Sequence, residues 1–433
     1  MNKKLFLGVG RENITPPLGT YLGGYPFPDR YATSINDDLT VTAFSFRCAE
    51  VKSMLVSITI TVLDESISSE IREKIEAETG VPAENIIIHT THTHSAPLTF
   101  TSDGWGEPNL EYVDGILIPK TLAAAHAALN GEEHVVFGFA FGDSFVGVNR
   151  REPSLIRNGI KLGVWKYGCF DPKMTVLSFK NDEGKCVANI IHYGCHATGC
   201  GASLEVTRDW PGIMTDRLEN LTGGITAFIN GPEGDVGPRL SNGRTTGEGD
   251  IGYMKEQGAI AARDAAEIFA KILVYREVEM KCVSRIITLP LEPLMSREEA
   301  VKRLEKIEVV NGITLREANI YKEIIKAYDE GRGNIECREH QQTAIRIGDV
   351  AFVAHPFESF SEIGIRINIM SSIPHVLSVA MANGCLCYLP TVGEIPKGGY
   401  EVTMFKTHSI QKYVDEVDYS FIRESVKTLE ELL

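Results

Sequence analysis

Apolar and polar positions follow two rhythms along this chain, and the changes between them mark out its elements. Val41 to Arg47 has a strand pattern, and Met54 to Leu63 alternates apolar with polar residues. Glu65 to Thr79 shifts to a helical rhythm, with Ile67, Ile71 and Ile75 four residues apart and Gly80 just past the end. Asn85-Ile86-Ile87-Ile88-His89 then sets three isoleucines together without polar alternation, the pattern of a strand covered on both faces. These segments form a strand–helix–strand unit whose crossover is expected to be right-handed.

The same two periods continue downstream. Glu111 to Leu129 predicts a helix stopped by Asn130-Gly131, and Tyr253 to Ile272 is alanine-rich and helical. Short strands are expected at Val135 to Phe141 and Met174 to Phe179. Two apolar strands end in chemistry-bearing turns: Val187 to Tyr193 runs into Gly194-Cys195-His196, and Ile225 to Asn230 into Gly231-Pro232-Glu233-Gly234-Asp235. Residues 11 to 40, rich in Pro, Gly and Tyr, suggest an ordered surface loop. In residues 296–330, Ser296 with Glu299 and Thr314 with Glu317 are capping-box patterns that start two charged helices. They predict a helical hairpin inserted between the halves of the sheet. Thr343 to Ala354 and Leu377 to Ala382 return to strand, and the last twenty residues form a surface helix. No repeat or dividing linker appears, so residues 1–433 are expected to form one α/β domain, a mixed sheet core flanked by helices.

Composition narrows the function classes. A net charge of −15, from 43 basic and 58 acidic residues, argues against nucleic acid or an anionic membrane as partner. Met1 to Gly10 is too short an apolar stretch for an export signal, and no segment reaches the length of a membrane span. The nine cysteines lack a disulfide rhythm, which suggests reduced thiols and a cytoplasmic location.

Candidate chemistry gathers where apolar strands end. His89, His92 and His94 are three of 11 histidines within six positions. If the strand stays extended, His92 and His94 face one side, roughly 6.8 Å apart, so one can hold a metal while the other faces its ligand. Pro97 ends the strand. His196, Glu358 and Tyr388 occupy similar strand-end positions, and Pro356 suits the first turn of a helix, which would put Glu358 near a helix N-terminus. Two neutral imidazoles and a carboxylate are a zinc donor set. Other arrangements stay open: His192, Cys195 and Cys200 beside His196 would suit a structural zinc site with cysteine ligands, and Tyr388 would also serve as a hydrogen-bonding neighbour of a metal. Asp64, Asp209 and Asp235 are expected to orient histidines or hold loops.

Thr91-His92-Thr93-His94-Ser95-Ala96-Pro97 resembles the Thr-His-Thr-His-Ser-Gly-Pro motif of the neutral (non-lysosomal) ceramidases. Gly10-Arg11-Glu12-Asn13-Ile14-Thr15-Pro16 is similar to the N-terminal stretch of that family, and Asn149-Arg150 falls where the family has Asn-Arg-Ser. His196 sits in a corresponding strand-end position, Pro356-Phe357-Glu358 is similar to the family's glutamate segment, and Tyr388 and Tyr400 keep the spacing of two family tyrosines. The resemblance implies an α/β catalytic domain with one zinc ion held by His92, His196, Glu358 and Tyr388. His94, Arg150 and Tyr400 would then surround the scissile carbonyl. Two departures stand out: Gly237 replaces a family serine, and the chain ends where the family's C-terminal immunoglobulin-like domain would begin. The implied activity is hydrolysis of an amide (N-acyl) bond, in ceramide or another small or lipid-like substrate. The same zinc chemistry on a soluble ester or sugar derivative, and a metal-binding homologue without turnover, are the alternatives.

Overall fold

Eight strands build one sheet: β1 (Leu5–Asn13), β2 (Thr40–Cys48), β3 (Val51–Ile58), β4 (Ile86–Thr90), β5 (Glu133–Asp143), β6 (Lys173–Asn181), β7 (Cys186–Tyr193) and β8 (Ile225–Asn230). The structure is a computed structural model that describes residues 4–101, 106–154, 159–240 and 250–433. Met1–Lys3, the start of the stretch considered for an export signal, lie outside the described residues. The strand order is β8-β7-β6-β5-β1-β2-β3-β4. The edge pairs β3–β4 and β7–β8 are parallel and the inner pairs antiparallel, so the sheet is mixed. All five residues of β4 are buried, as its isoleucine run requires.

Side chains draw the two edges of this sheet together. The Asn230 backbone N–H donates to His89 Nε2 (2.9 Å), and the Ser57 hydroxyl donates to the Phe228 carbonyl (2.7 Å). The end of β4 therefore meets that of β8, with β7 beside it, although β4 and β8 stand at opposite ends of the strand order. Loops leaving the C-terminal ends of parallel strands are where α/β folds place ligands, and the histidines follow those ends.

A second sheet, β9 (Met280–Pro290), β10 (Cys337–Ile347), β11 (Val350–Ala354) and β12 (His375–Val379), has the order β9-β10-β11-β12. Ile345, Phe352 and Val379 from it share one core with Phe46, Ile87, Phe179 and Ile229 of the first sheet. Helices cover the outer faces. Glu65–Thr79 and Ile118–Asn130 pack over one part of the first sheet, and Asp209–Thr222 with Ile251–Phe269 over another. Ser361–Met370 and Val417–Glu430 cover the second. This is the α/β architecture with a mixed sheet and flanking helices that the patterning predicts.

Four segments depart from their sequence pattern. Thr343 to Ala354 is two strands, because Gly348 turns the chain at φ +58°. The helical hairpin, Arg297–Leu304 and Gly312–Asp329, sits between the adjacent strands β9 and β10 and not between halves of the main sheet. Its second helix is capped by Asn311, whose side chain accepts from the Thr314 N–H (3.0 Å). The Thr314 hydroxyl in turn accepts from the Asn311 N–H (3.1 Å), so Thr314 closes the capping box and does not open it. Residues 11 to 40 begin within β1 and end at the start of β2, and the loop between them exposes Leu18, Phe27 and Tyr31 but also buries Leu22, Tyr25 and Arg30. The C-terminal helix buries a whole face, including Phe421 and Leu429, against the second sheet.

Candidate active site

β4 stops at Thr90, and His92 adopts φ +66°, a left-handed backbone that ends the extended run. His92 and His94 are therefore not successive positions on one strand face. Their Nε2 atoms approach to 3.2 Å, with ring centroids 4.7 Å apart. The His92 backbone N–H donates to the Ile60 carbonyl (3.0 Å) and its ring Nδ1 lies 2.9 Å from the Thr61 carbonyl, so backbone and ring are both fixed from the end of β3. His196, beyond β7, has Nδ1 3.0 Å from the carbonyls of both Glu233 and Val236. A ring that donates Nδ1–H to a carbonyl presents the Nε2 lone pair. The Nε2 atoms of His92 and His196 stand 3.4 and 3.3 Å from Glu358 Oε2.

Pro356 is not in the first turn of a helix, and Glu358 stands two residues before the helix cap Phe360. The glutamate lies in the short strand Glu358–Ser359, paired in parallel with Tyr388–Leu389 so that Glu358 is directly opposite Tyr388, and the following helix starts at Ser361. Arg150 comes from the strand Gly147–Ser154, which pairs with Val236–Pro238. Its Nη2 donates to the Tyr388 hydroxyl (3.0 Å) and its Nε to Glu401 (2.9 Å). Neighbouring Arg151 turns to Glu394, the Gly398 carbonyl and the other oxygen of Glu401 (2.7 Å), which separates the roles of the two arginines. The Tyr400 ring packs edge-on to Tyr388 at 5.7 Å. A cavity of about 110 Å³ is lined by His92, His94, Glu358, Tyr388 and Tyr400, with His196 and Arg150 behind that lining. All seven residues singled out in the sequence thus meet in one place.

The donor set fits a zinc ion. Among the described residues His196 Nε2 and Glu358 Oε2 are buried and make no hydrogen bond, a costly arrangement for facing polar atoms unless something bridges them. Burial, helped by the Arg150 charge, pushes His196 down to about 3, so the ring is neutral and its lone pair free. Two imidazoles and a carboxylate are standard zinc ligands. By distance His94 also falls within one metal-sized group with His92 and His196. Its Nδ1, however, has no partner among the described residues and lacks the tether that the other two rings possess. The cysteines take no part: Cys200 Sγ lies against Ser95 Oγ (3.2 Å), Cys195 Sγ points at the His196 carbonyl (3.5 Å), and His192 Nε2 is bound to the Ser378 carbonyl (2.7 Å).

Supporting residues hold the loops. Asp209 accepts from the Gly199 and Cys200 N–H groups (both 2.9 Å), and Asp235 accepts from both the N–H and hydroxyl of Ser361 (2.8 and 2.7 Å). Asp64 accepts from the Thr101 N–H (3.2 Å). Gly237 pairs with Val148 and offers no hydroxyl. Two residues escaped the sequence analysis. Glu233 is wholly buried with neither carboxyl oxygen bonded among the described residues; burial and then Glu358 push its carboxyl well above the usual range. An acid within Gly-Pro-Glu-Gly after an apolar strand was its signal. Arg30 donates to four carbonyls, including that of His94 (2.8 Å), and nothing local marks it.

The fold and family can be placed by comparison with known proteins. The crystal structure of neutral ceramidase from Pseudomonas aeruginosa superposes with a TM-score of 0.74 at 18% identity, over 99% of this chain and 74% of that one. A ceramidase complexed with C2 superposes equally well, TM-score 0.74 at 16% identity, over 99% and 75% of the two chains. Both share this fold. A sequence search among curated proteins finds no match. A sequence model described as neutral/alkaline non-lysosomal ceramidase, N-terminal, matches residues 5–255, more than half of the chain. With the histidine loop and the strand ends that support it both inside that match, the chain belongs to the neutral/alkaline non-lysosomal ceramidase family.

Proposed function

We propose that this protein is a zinc-dependent hydrolase acting on an amide (N-acyl) bond, with residues 1–433 as one catalytic unit and one zinc held by His92, His196, Glu358 and Tyr388. The observation that carries the proposal is the unbonded pair of His196 Nε2 and Glu358 Oε2, buried beneath a cavity. Zinc bound there supplies water activation near neutral pH and polarisation of a carbonyl. The chain supplies the rest. The Thr61, Glu233 and Val236 carbonyls aim the two rings. Desolvation and the nearby Glu358 carboxylate keep Tyr400 a phenol, able to donate to an oxyanion. Arg150 adds a fixed positive charge behind Tyr388. His94, held neutral by burial and then by His92, is free to take a proton and return it to the leaving nitrogen. Nine free cysteines support a reducing, cytoplasmic location. Among the described residues no helix is long and apolar enough to cross a membrane.

The cavity favours a short substrate. Its volume, about 110 Å³, is well below the roughly 300–1,000 Å³ of pockets that enclose drug-sized ligands. A small soluble amide or ester therefore suits the enclosed part better than a long acyl chain. The test is hydrolysis of a panel of N-acyl amides, esters and glycosides before and after chelation, with zinc quantified in the same samples. Amide turnover should vanish with the chelator and return with zinc. Turnover that survives zinc removal, or that is confined to glycosides, contradicts the proposal.

A further inference from the structure

We propose that Arg316 recognises a carboxylate on the substrate, so that the preferred substrates are short amides carrying an acidic group away from the scissile bond. This rests on the hydrolase function proposed above and names its substrate class. Arg316 lies on Gly312–Asp329, the second helix of the hairpin between β9 and β10. It lines the same cavity as His92, His94, Glu358, Tyr388 and Tyr400.

Its lack of a charged partner sets it apart. Elsewhere in the hairpin and its exit turn each arginine has a carboxylate: Arg297 with Asp329 (2.9 Å), Arg303 with Glu299 (2.8 Å) and Arg332 with Glu330 (2.9 Å). Among the described residues Arg316 has none. Its one hydrogen bond among those residues runs to the Met404 sulfur at 3.8 Å, a weak acceptor. The acids sharing its cavity are engaged elsewhere: Asp64 accepts from Thr101, and Glu358 faces the two histidines. A guanidinium is a rigid fork of donors matched to a carboxylate. Lining the cavity that His92, His94 and Glu358 also line, it defines a second point of attachment for a small molecule. A neutral acyl chain would leave that charge unmatched, and an ammonium would be repelled. The carboxylate can sit on the acyl side, as in an amide of a dicarboxylic acid, or on the amine side, as in an N-acyl amino acid. Both present the same group to Arg316.

Two matched pairs separate these sources: an N-succinyl against an N-butyryl amide of one amine, and N-acetyl-β-alanine against N-acetylpropylamine. For wild type, the acidic member of at least one pair should have the higher kcat/KM. In Arg316→Ala the acidic-to-neutral ratio should fall by roughly 10- to 100-fold, as expected for loss of a charged hydrogen bond, and Arg316→Lys should recover part of it. Calorimetry of succinate binding to the zinc-loaded proteins should show a parallel weakening. If neutral amides are hydrolysed and the ratio is the same in wild type and Arg316→Ala, the carboxylate proposal is overturned while the hydrolase function stands. If wild type hydrolyses nothing, calorimetry decides. Succinate binding lost with Arg316→Ala then supports the anion site and removes the hydrolase function; binding unchanged by the substitution overturns the anion site.

Discussion

At His196 one ring nitrogen is fixed by two backbone carbonyls while the other faces Glu358 without a hydrogen bond. His92 shares the tether, its Nδ1 held by the Thr61 carbonyl, while its Nε2 lies 3.4 Å from Glu358 Oε2 and 3.2 Å from His94 Nε2; the His94 Nδ1 has no such carbonyl among the described residues. The difference predicts different losses. His92→Ala and His196→Ala should lose zinc, whereas His94→Ala should keep it and lose turnover by roughly 100-fold or more. Metal analysis of the purified variants checks this, and equal zinc loss in all three would contradict the division. The histidine motif itself was legible in the sequence. The distance between its rings was not, because the left-handed turn at His92 is set by contacts with Ile60 and Thr61, which no local pattern reveals. A second residue-scale prediction concerns His355, outside the donor set, which burial pushes down to about 3. A histidine with a lowered folded value contributes stability that is present above its unfolded value near 6.5 and is lost as pH falls towards 3. His355→Gln should therefore flatten the acid branch of the stability curve between those limits by up to about 1.4 kcal/mol per pH unit. Urea unfolding across that range tests it, and an unchanged slope would show that His355 is protonated in the folded state.

Among the elements, the short helix Tyr400–Lys406 does more than its length suggests. Glu401, wholly buried in its first turn, accepts from Arg150 Nε and Arg151 Nη1, and so ties the strand Gly147–Ser154 to the helix that begins with Tyr400. Removing one partner of a buried ion cluster leaves uncompensated charge, so Glu401→Gln should destabilise the zinc-free protein by about 3–5 kcal/mol. Denaturant unfolding measures this, and a loss below about 0.5 kcal/mol would place the arginine charges in water. Helices and strands were largely legible because their signals are local: the Glu65–Thr79 helix and its Gly80 end stand where periodicity puts them. Caps and pairings were less so. Thr314 with Glu317 has the sequence form of a capping box, yet Asn311 takes the cap because its amide reaches the Thr314 N–H first. Pro356 likewise misled, since pairing of Glu358 with Tyr388 overrides the helix start that the proline suggests.

Over the whole molecule, two sheets share one apolar core, and the edges of the larger sheet close over it through Asn230 and His89. That closure brings residues from positions 92 to 400 to one cavity, a convergence that strand patterns alone could not specify, because edge-to-edge approach depends on sheet curvature. The resemblance to a family supplied what patterning lacked: which strand ends belong together. The account as a whole stands on one ion held by nitrogen and oxygen donors at that convergence. X-ray absorption at the zinc edge of the zinc-loaded protein is its most direct test. The prediction is a first shell of nitrogen and oxygen only, at about 2.0–2.2 Å, with imidazole scattering from two histidines; a sulfur shell near 2.3 Å, or a protein that retains no zinc, would contradict it.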